Sequence, residues 1–295
     1  MIFQKQRLLY AFLPKENLSG WIKNKCTEID KKRLPKILEK FENARQKLNS
    51  IFLAENGIAE KISVEEINNN FKEKMKTISE EQSFKNAYAN QRIEFKMVEI
   101  DKLVLTQSGV FLDYVEELLK KFPKNPTEEE LIDICFPLEK NPAEVSEKKI
   151  NDFIYLYSSD SIDFRLLNIH HIEIGDIKMG KYYAANPAKA LLITLGFGLP
   201  FVNVFSVGGR IILNNGMQRL YALRSLGVKF APAVVKYSDK LPSSNVYSPE
   251  IILENPRPPL MKDFFDSDLT IDIMIKPKIN NIKINIVPEV FDMDL

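Results

Sequence analysis

The stretch from Gly196 to Val235 constrains the fold more than any other part of the chain. Gly196-Phe197-Gly198-Leu199-Pro200 is a turn-rich loop, and Phe201 to Val207 is an apolar, β-branched run that reads as a strand. Gly208-Gly209 is a hairpin turn of the two-residue kind, and Arg210 to Leu213 is the returning strand. Asn214-Asn215-Gly216 breaks that strand sharply. Met217 to Leu226 reads as a helix, Gly227 is a natural residue to follow its last turn, and Val228 to Val235 is extended again.

The join between the second strand and the helix carries the chemistry. The first N–H groups of a helix have no intrahelical acceptor, and the helix dipole adds partial positive charge at the same place. Gly216 lets a ligand approach the backbone. Gln218 and Arg219 lie in the first turn, where a guanidinium can hold a phosphate through two parallel hydrogen bonds. An arginine in this position opposes the dipole unless an anion is near. Two readings follow: Arg219 binds an anion, or it pairs with a surface carboxylate.

The whole string GFGLPFVNVFSVGGRIILNNGMQRLYALRSLGVKFAPAVV resembles the core of the ParB/sulfiredoxin-like superfamily. That core has a Gly-x-x-x-Pro loop, strand, hairpin, strand, Gly-x-x-Arg turn, helix, Leu-Gly and strand in this order. The earlier segment VEIDKLVLTQ resembles its opening strand. The resemblance implies a nucleotide or phosphate site, because ParB proteins contact the triphosphate of CTP with a Gly-Glu-Arg-Arg turn. Sulfiredoxins use Gly-Cys-His-Arg with ATP, and free-serine kinases use Asp-Gly-His-x-Arg. Gly216 and Arg219 match that turn, while Gly198 and Pro200 match the loop before it. Asn215 stands in place of the frequent aspartate, and Gln218 in place of histidine or arginine. The implied phosphate-binding set is therefore Gly198, Pro200, Asn215, Gly216, Gln218 and Arg219, with CTP or ATP and Mg as the implied ligands. Met217 occupies the position of the sulfiredoxin cysteine, and a thioether is no nucleophile, so sulfinic-acid reduction is not expected. No acidic base is evident in the turn for phosphoryl transfer.

Elsewhere the pattern is of an ordinary soluble protein. Leu34, Leu38, Phe41, Leu48 and Phe52 form a narrow apolar stripe on a helix that Gly57 would end. Ser63 and Glu66 have the spacing of a capping box, opening a second helix striped by Ile67, Phe71, Met75 and Ile78. Together they read as an αα-hairpin, either a packing layer or an arm for a protein partner. Ile93, Phe95 and Met97 alternate as in a strand, and residues 110–122 read as a helix. Thr127 caps a further helix beginning Glu128-Glu129-Glu130, and Ser146 to Tyr157 reads as another. The long, proline-bearing linker between these two argues against a helix-turn-helix. Asn255-Pro256-Arg257-Pro258-Pro259 reads as a connector. Ile271, Ile273, Ile275 and Ile282, Ile284, Ile286 alternate about Asn280-Asn281, which reads as a β-hairpin with Ile273 and Ile284 buried.

The expected organisation is an α+β protein: a helical N-terminal layer over 1–90, a ParB-like domain over 91–240 and a connector with β-hairpin over 241–295. The central domain carries a helical insertion at about 107–190. The net charge of +1 sets up no global field toward nucleic acid or anionic lipid. Cys26 and Cys135 are too few for a disulfide framework and, with His170 and His171, complete no zinc motif. Leu8 to Leu13 is too short for a signal-peptide core, and no run approaches the roughly 18 apolar residues of a membrane span. A cytoplasmic location without membrane contact is expected. Ser158 to Arg165 reads as a polar loop or as a source of a metal ligand or second phosphate contact. His170, His171, Glu173 and Asp176 read as strand and loop residues, Lys23 to Lys40 as a solvated helix face, and Phe291 to Leu295 as a frayed or docking tail. Function divides between a nucleotide- or nucleic-acid-phosphate-binding switch or weak nucleotide hydrolase, and a non-catalytic scaffold or adaptor binding protein or DNA.

Overall fold

Positive φ angles at Gly208 (+58°), Gly209 (+80°), Gly216 (+105°) and Gly227 (+86°) set three chain reversals of the central segment. L side chains rarely adopt this conformation, so glycine placement fixes the turns. The computed structural model describes residues 4–138, 143–161, 164–173, 189–238, 241, 247–276 and 280–287. The chain divides into two units, residues 1–139 with 200–277 and residues 140–199 with 278–295.

The first unit opens with β1 (Gln4–Leu8), a tight turn over Tyr10–Phe12, and helices α1 (Lys15–Lys25), α2 (Glu28–Lys32) and α3 (Leu34–Ala54). Strand β2 (Val64–Glu66), helices α4 (Lys72–Glu80) and α5 (Gln82–Tyr88), and strands β3 (Ile93–Glu99), β4 (Val104–Leu105) and β5 (Gly109–Phe111) follow. Helices α6 (Leu112–Lys121) and α7 (Glu128–Cys135) lead to the crossing into the second unit. There lie β6 (Ser146–Asn151), β7 (Ile154–Ser159), β8 (Phe164–Ile172) and β9 (Ala190–Phe197). The first unit resumes with β10 (Asn203–Val207), β11 (Arg210–Asn215), α8 (Met217–Ser225), β12 (Phe230–Tyr237) and β13 (Ile271–Ile275), and β14 (Asn280–Asn285) belongs to the second. The protein is α+β, and the strand, hairpin, strand, helix, strand order expected over 196–236 is present.

A six-stranded sheet, β2-β3-β12-β10-β11-β4, is the centre of the first unit. Val207 faces Arg210 across the two-glycine turn, a geometry whose twist suits a tight hairpin. β12 runs parallel to β10 and antiparallel to β3, with Asn203 opposite Val234 and Val234 opposite Phe95. Ile211, Ile212, Leu213, Ala233, Val234 and Val235 are all buried, as expected of strands covered on both faces. A three-stranded sheet, β13-β1-β5, lies beside it, with α6 packed on β1 and on α8. Helix α8 ends in a Schellman motif: the Val228 N–H donates to the Leu223 carbonyl at 3.1 Å, and Gly227 to Arg224 at 2.9 Å.

Sequence periodicity located most first-unit helices but not all their details. In α3 the buried stripe is Ile37, Phe41, Ala44 and Leu48, one step off the expected Leu34 and Leu38. It packs within the unit, with Phe41 6.1 Å from Tyr10 and Phe52 6.2 Å from Phe12 between ring centroids. α3 and α4 form no αα-hairpin, because Val64–Glu66 pairs with β3 as an edge strand between them. Ser63 is therefore no cap; its N–H donates to Glu99 Oε2 at 2.9 Å, and the helix starts only at Lys72. In the connector expected over 255–259, Arg257, Pro258 and Pro259 are buried. Arg257 is 1% exposed, donating to Asp263, Glu55 and the Pro258 carbonyl.

Two further expectations are corrected. Ser146 to Tyr157 is not a helix but most of the β6–β7 hairpin, and the elements described in the insertion from Ser146 are strands. β13 and β14 do not pair: β13 joins β1, with Gln6 opposite Ile273, whereas β14 joins β7, with Ile284 opposite Tyr155. Ile273 is buried as expected, but Ile284 is only partly buried. Nor do the first ninety residues stand apart from the core, since β1 and β2 are strands of its sheets. Among the described residues, no helix is long and apolar enough to cross a membrane. Phe291 to Leu295 and Asp176 lie outside them.

Candidate functional site

Local sequence places the turn at Asn215–Arg219 between a buried strand and a nine-residue helix. Gly216 is the helix N-cap in the left-handed region, and its backbone is pressed against Val202. A Cβ at Gly216 would stand 2.7 Å from Val202 Cγ2 and 3.2 Å from its Cα. Glycine is required here by conformation and by close packing. The approach it permits is that of Val202.

Arg219 is turned to the main chain of two neighbouring segments. Its Nη1 donates to the carbonyls of Ile134 at 3.0 Å and Cys135 at 3.2 Å, and its Nη2 donates to the Pro200 carbonyl. Ile134 and Cys135 are the last two residues of α7, whose final carbonyls have no intrahelical donor. An arginine misplaced at the positive end of α8 is thus well placed at the negative end of α7. The start of α7 is fixed independently by a capping box. The Glu130 N–H donates to Thr127 Oγ1 at 3.3 Å, and Glu130 Oε2 accepts from the Thr127 N–H at 2.7 Å.

The other expected site residues sort into three groups. Pro200, Asn215, Gly216 and Arg219 come together: Asn215 Nδ2 donates to the Phe201 carbonyl at 3.0 Å, beside the Pro200 carbonyl that Arg219 holds. Gln218 is directed elsewhere, with its Oε1 accepting from the Phe111 N–H at 3.0 Å in β5. Gly198 belongs to the second unit, where the position of a Cβ is taken by the Arg165 guanidinium.

Cys135, remote from the turn in sequence, is beside it in space. The Val202 N–H donates to the Cys135 carbonyl at 2.9 Å, and Phe136 and Phe201 meet edge-on at 5.7 Å. Phe136 also meets Phe95 edge-on at 5.3 Å, and Phe95 stacks on Phe84 at 5.5 Å, so this corner is walled by aromatic rings. Burial pushes the Cys135 thiol up to about 12, only partly offset by the nearby Arg219 charge. A fully buried thiol of that kind is protonated at neutral pH and inert as a nucleophile. Burial likewise raises the Cys26 thiol, to about 11, with the charge of Asp30 adding to it. Met217 is buried in the core.

The remaining candidates stay dispersed. His170, His171 and Glu173 are exposed along and just beyond β8. Ser158 and Ser159 end β7, and Ile162 and Asp163 lie outside the described residues. Among the described residues, no group of three or more His, Cys, Asp or Glu side chains could hold a metal ion. In the basic stretch after Lys23, Lys31 pairs with Glu28 at 2.6 Å and Arg33 with buried Asp30 at 2.7 Å. Sequence reasoning missed Ile134, Cys135 and Val202, whose part in the turn is played by backbone atoms. The signal within reach was the boundary of α7, which stops just before Pro137. Comparison with protein-family models, with curated proteins and with solved structures gave no match for this chain.

Proposed function

We propose that this chain is a non-catalytic ParB-like scaffold, in which the turn at Asn215–Arg219 is a structural joint. The observation that carries this reading is the arginine's commitment to the carbonyls of Ile134, Cys135 and Pro200. A phosphate would have to displace those hydrogen bonds, each made to a charged donor and worth about 1.5–3 kcal/mol. The retained strand–turn–helix order supports the ParB-like likeness, and the bonded arginine separates this chain from nucleotide-using relatives. A protein partner fits better than DNA. The exposed side chains of β8 and β9 include Leu166, Leu167, Ile169, Leu191 and Leu192, and apolar surface of this kind serves protein contacts.

The test is calorimetric titration of the full chain with CTP, ATP and GTP in the presence of Mg²⁺, and with short duplex DNA. Mass spectrometry of the denatured, purified protein would detect any nucleotide carried through purification. The scaffold reading predicts no binding and no carried nucleotide. Binding of one nucleotide that Arg219→Ala abolishes would replace it with the switch or weak-hydrolase reading, and loss of DNA binding on the same substitution would favour a nucleic-acid site.

A further inference from the structure

We infer that Arg219 is the clasp that closes the neck of the insertion, holding together the two places where the chain leaves and re-enters the first unit. The inference rests on the scaffold reading of the turn. The outgoing segment of the neck is the end of α7 and Phe136, just before the second unit begins at residue 140. The returning segment is Pro200–Val202, just after it ends at residue 199. Arg219 donates to both, through Ile134 and Cys135 on one side and Pro200 on the other.

Several independent contacts act at the same place. The Val202 N–H donates directly across the neck to the Cys135 carbonyl at 2.9 Å, and Phe136 meets Phe201 across it. Asn215 Nδ2 holds the Phe201 carbonyl from below the turn at 3.0 Å, and Gly216 gives Val202 the room to lie flat against it. The Val234 N–H then donates to the Val202 carbonyl at 3.0 Å, joining the neck to β12. Bringing the ends of a long excursion together costs chain entropy whatever the excursion contains. Here the closing interactions all lie within the first unit, so its sheet keeps its register independently of the inserted strands. The planar guanidinium fork suits the task, since it can reach acceptors on two segments at once. A lysine ammonium is a compact point charge without that geometry.

Hydrogen–deuterium exchange of the full chain, comparing wild type with Arg219→Ala and Arg219→Lys, tests the clasp. In both variants the peptides covering residues 134–138 and 200–204 should exchange at least about tenfold faster, the Val202 amide among them. Peptides of β1, β3 and β13 should lose less protection than the neck, and no more than the fall in global stability accounts for. The lysine variant keeps the charge, so it reports on the neck even if the alanine variant fails to fold. Wild-type protection of the neck in Arg219→Lys and in any folded Arg219→Ala protein would overturn the inference. So would a uniform loss of protection across the first unit in Arg219→Lys, because Arg219 would then be a general core support. A nucleotide bound by the wild type would instead overturn the scaffold reading, and the exchange pattern would still report on the clasp separately.

Discussion

In the first unit β10, β11 and β12 bury most of the side chains they carry. In the second, Phe164 and Ser159 are the only buried residues among those described. Both units contain antiparallel hairpins of five- or six-residue strands, β10–β11 in the first and β6–β7 in the second, so strand formation is not the difference. The first unit has helices and a second sheet to cover its strands. The described part of the second consists of a three-stranded sheet, β14-β7-β6, and a two-stranded ribbon, β8-β9, with Leu166, Ile169 and Leu191 about half exposed. Strand pairing alone stabilises little; burial against another layer supplies most of the free energy. Substitutions of the same chemistry should therefore have very different costs in the two units.

The largest contrast is within the isoleucine alternation. Ile273 is 1% exposed in β13. Ile273→Asp should destabilise the first unit by about 3 kcal/mol or more, since a buried carboxylate there has no designed partner. Thermal melts followed by circular dichroism would show this as a large fall in Tm, and an unchanged Tm would mean that β13 is not core. An intermediate effect is expected at the Arg7–Asp272 pair, where Arg7 Nε meets Asp272 Oδ1 at 2.7 Å. Burial opposes charge on Asp272, but the hydrogen bonds and charge of Arg7 outweigh it and hold the carboxyl below its ordinary value. The folded value is depressed, so the pair's contribution is fully present above the unfolded value near pH 4 and is lost as pH falls through the folded one. Asp272→Asn should cost about 1 kcal/mol at neutral pH and flatten the acid limb of stability against pH. Parallel pH profiles for variant and wild type would refute that assignment. An effect no larger is expected at partly buried Ile284 in β14, where Ile284→Asp should cost about 1 kcal/mol, well below the loss at Ile273. A loss as large as that of Ile273→Asp would contradict the partial exposure of Ile284.

The same contrast explains what could be read from sequence. The hairpin, turn and helix of residues 201–227 were legible because Gly208, Gly209, Gly216 and Gly227 mark positions that only glycine occupies easily. The capping box at Thr127 was legible for a similarly local reason. β6 was not, because Ser146–Asn151 is exposed on both faces and shows no alternation of buried and exposed residues. The isoleucines of β13 showed which face would be buried but carried no information about which strand would pair, and β1 took the place expected of β14. Arg257 looked like part of a solvated connector because its partners, Glu55 and Asp263, are fixed only by the fold. Around the turn, the break at Gly216 and the place of Arg219 in the first turn of α8 were legible in the sequence. The acceptors were out of reach, since Arg219 bonds to carbonyl oxygens, which every residue has.

Whether the turn is a joint or an anion site is tested most directly by equilibrium denaturation of Arg219→Ala beside the wild type, in buffer free of phosphate and nucleotide. An anion-binding arginine with no ligand present supports nothing, and its removal from the positive end of α8 would leave stability unchanged or slightly raised. A joint loses the charge-assisted hydrogen bonds from Arg219 to the Ile134, Cys135 and Pro200 carbonyls. The account predicts a loss of about 2–3 kcal/mol with an unchanged denaturant slope. An Arg219→Ala protein as stable as the wild type would contradict it.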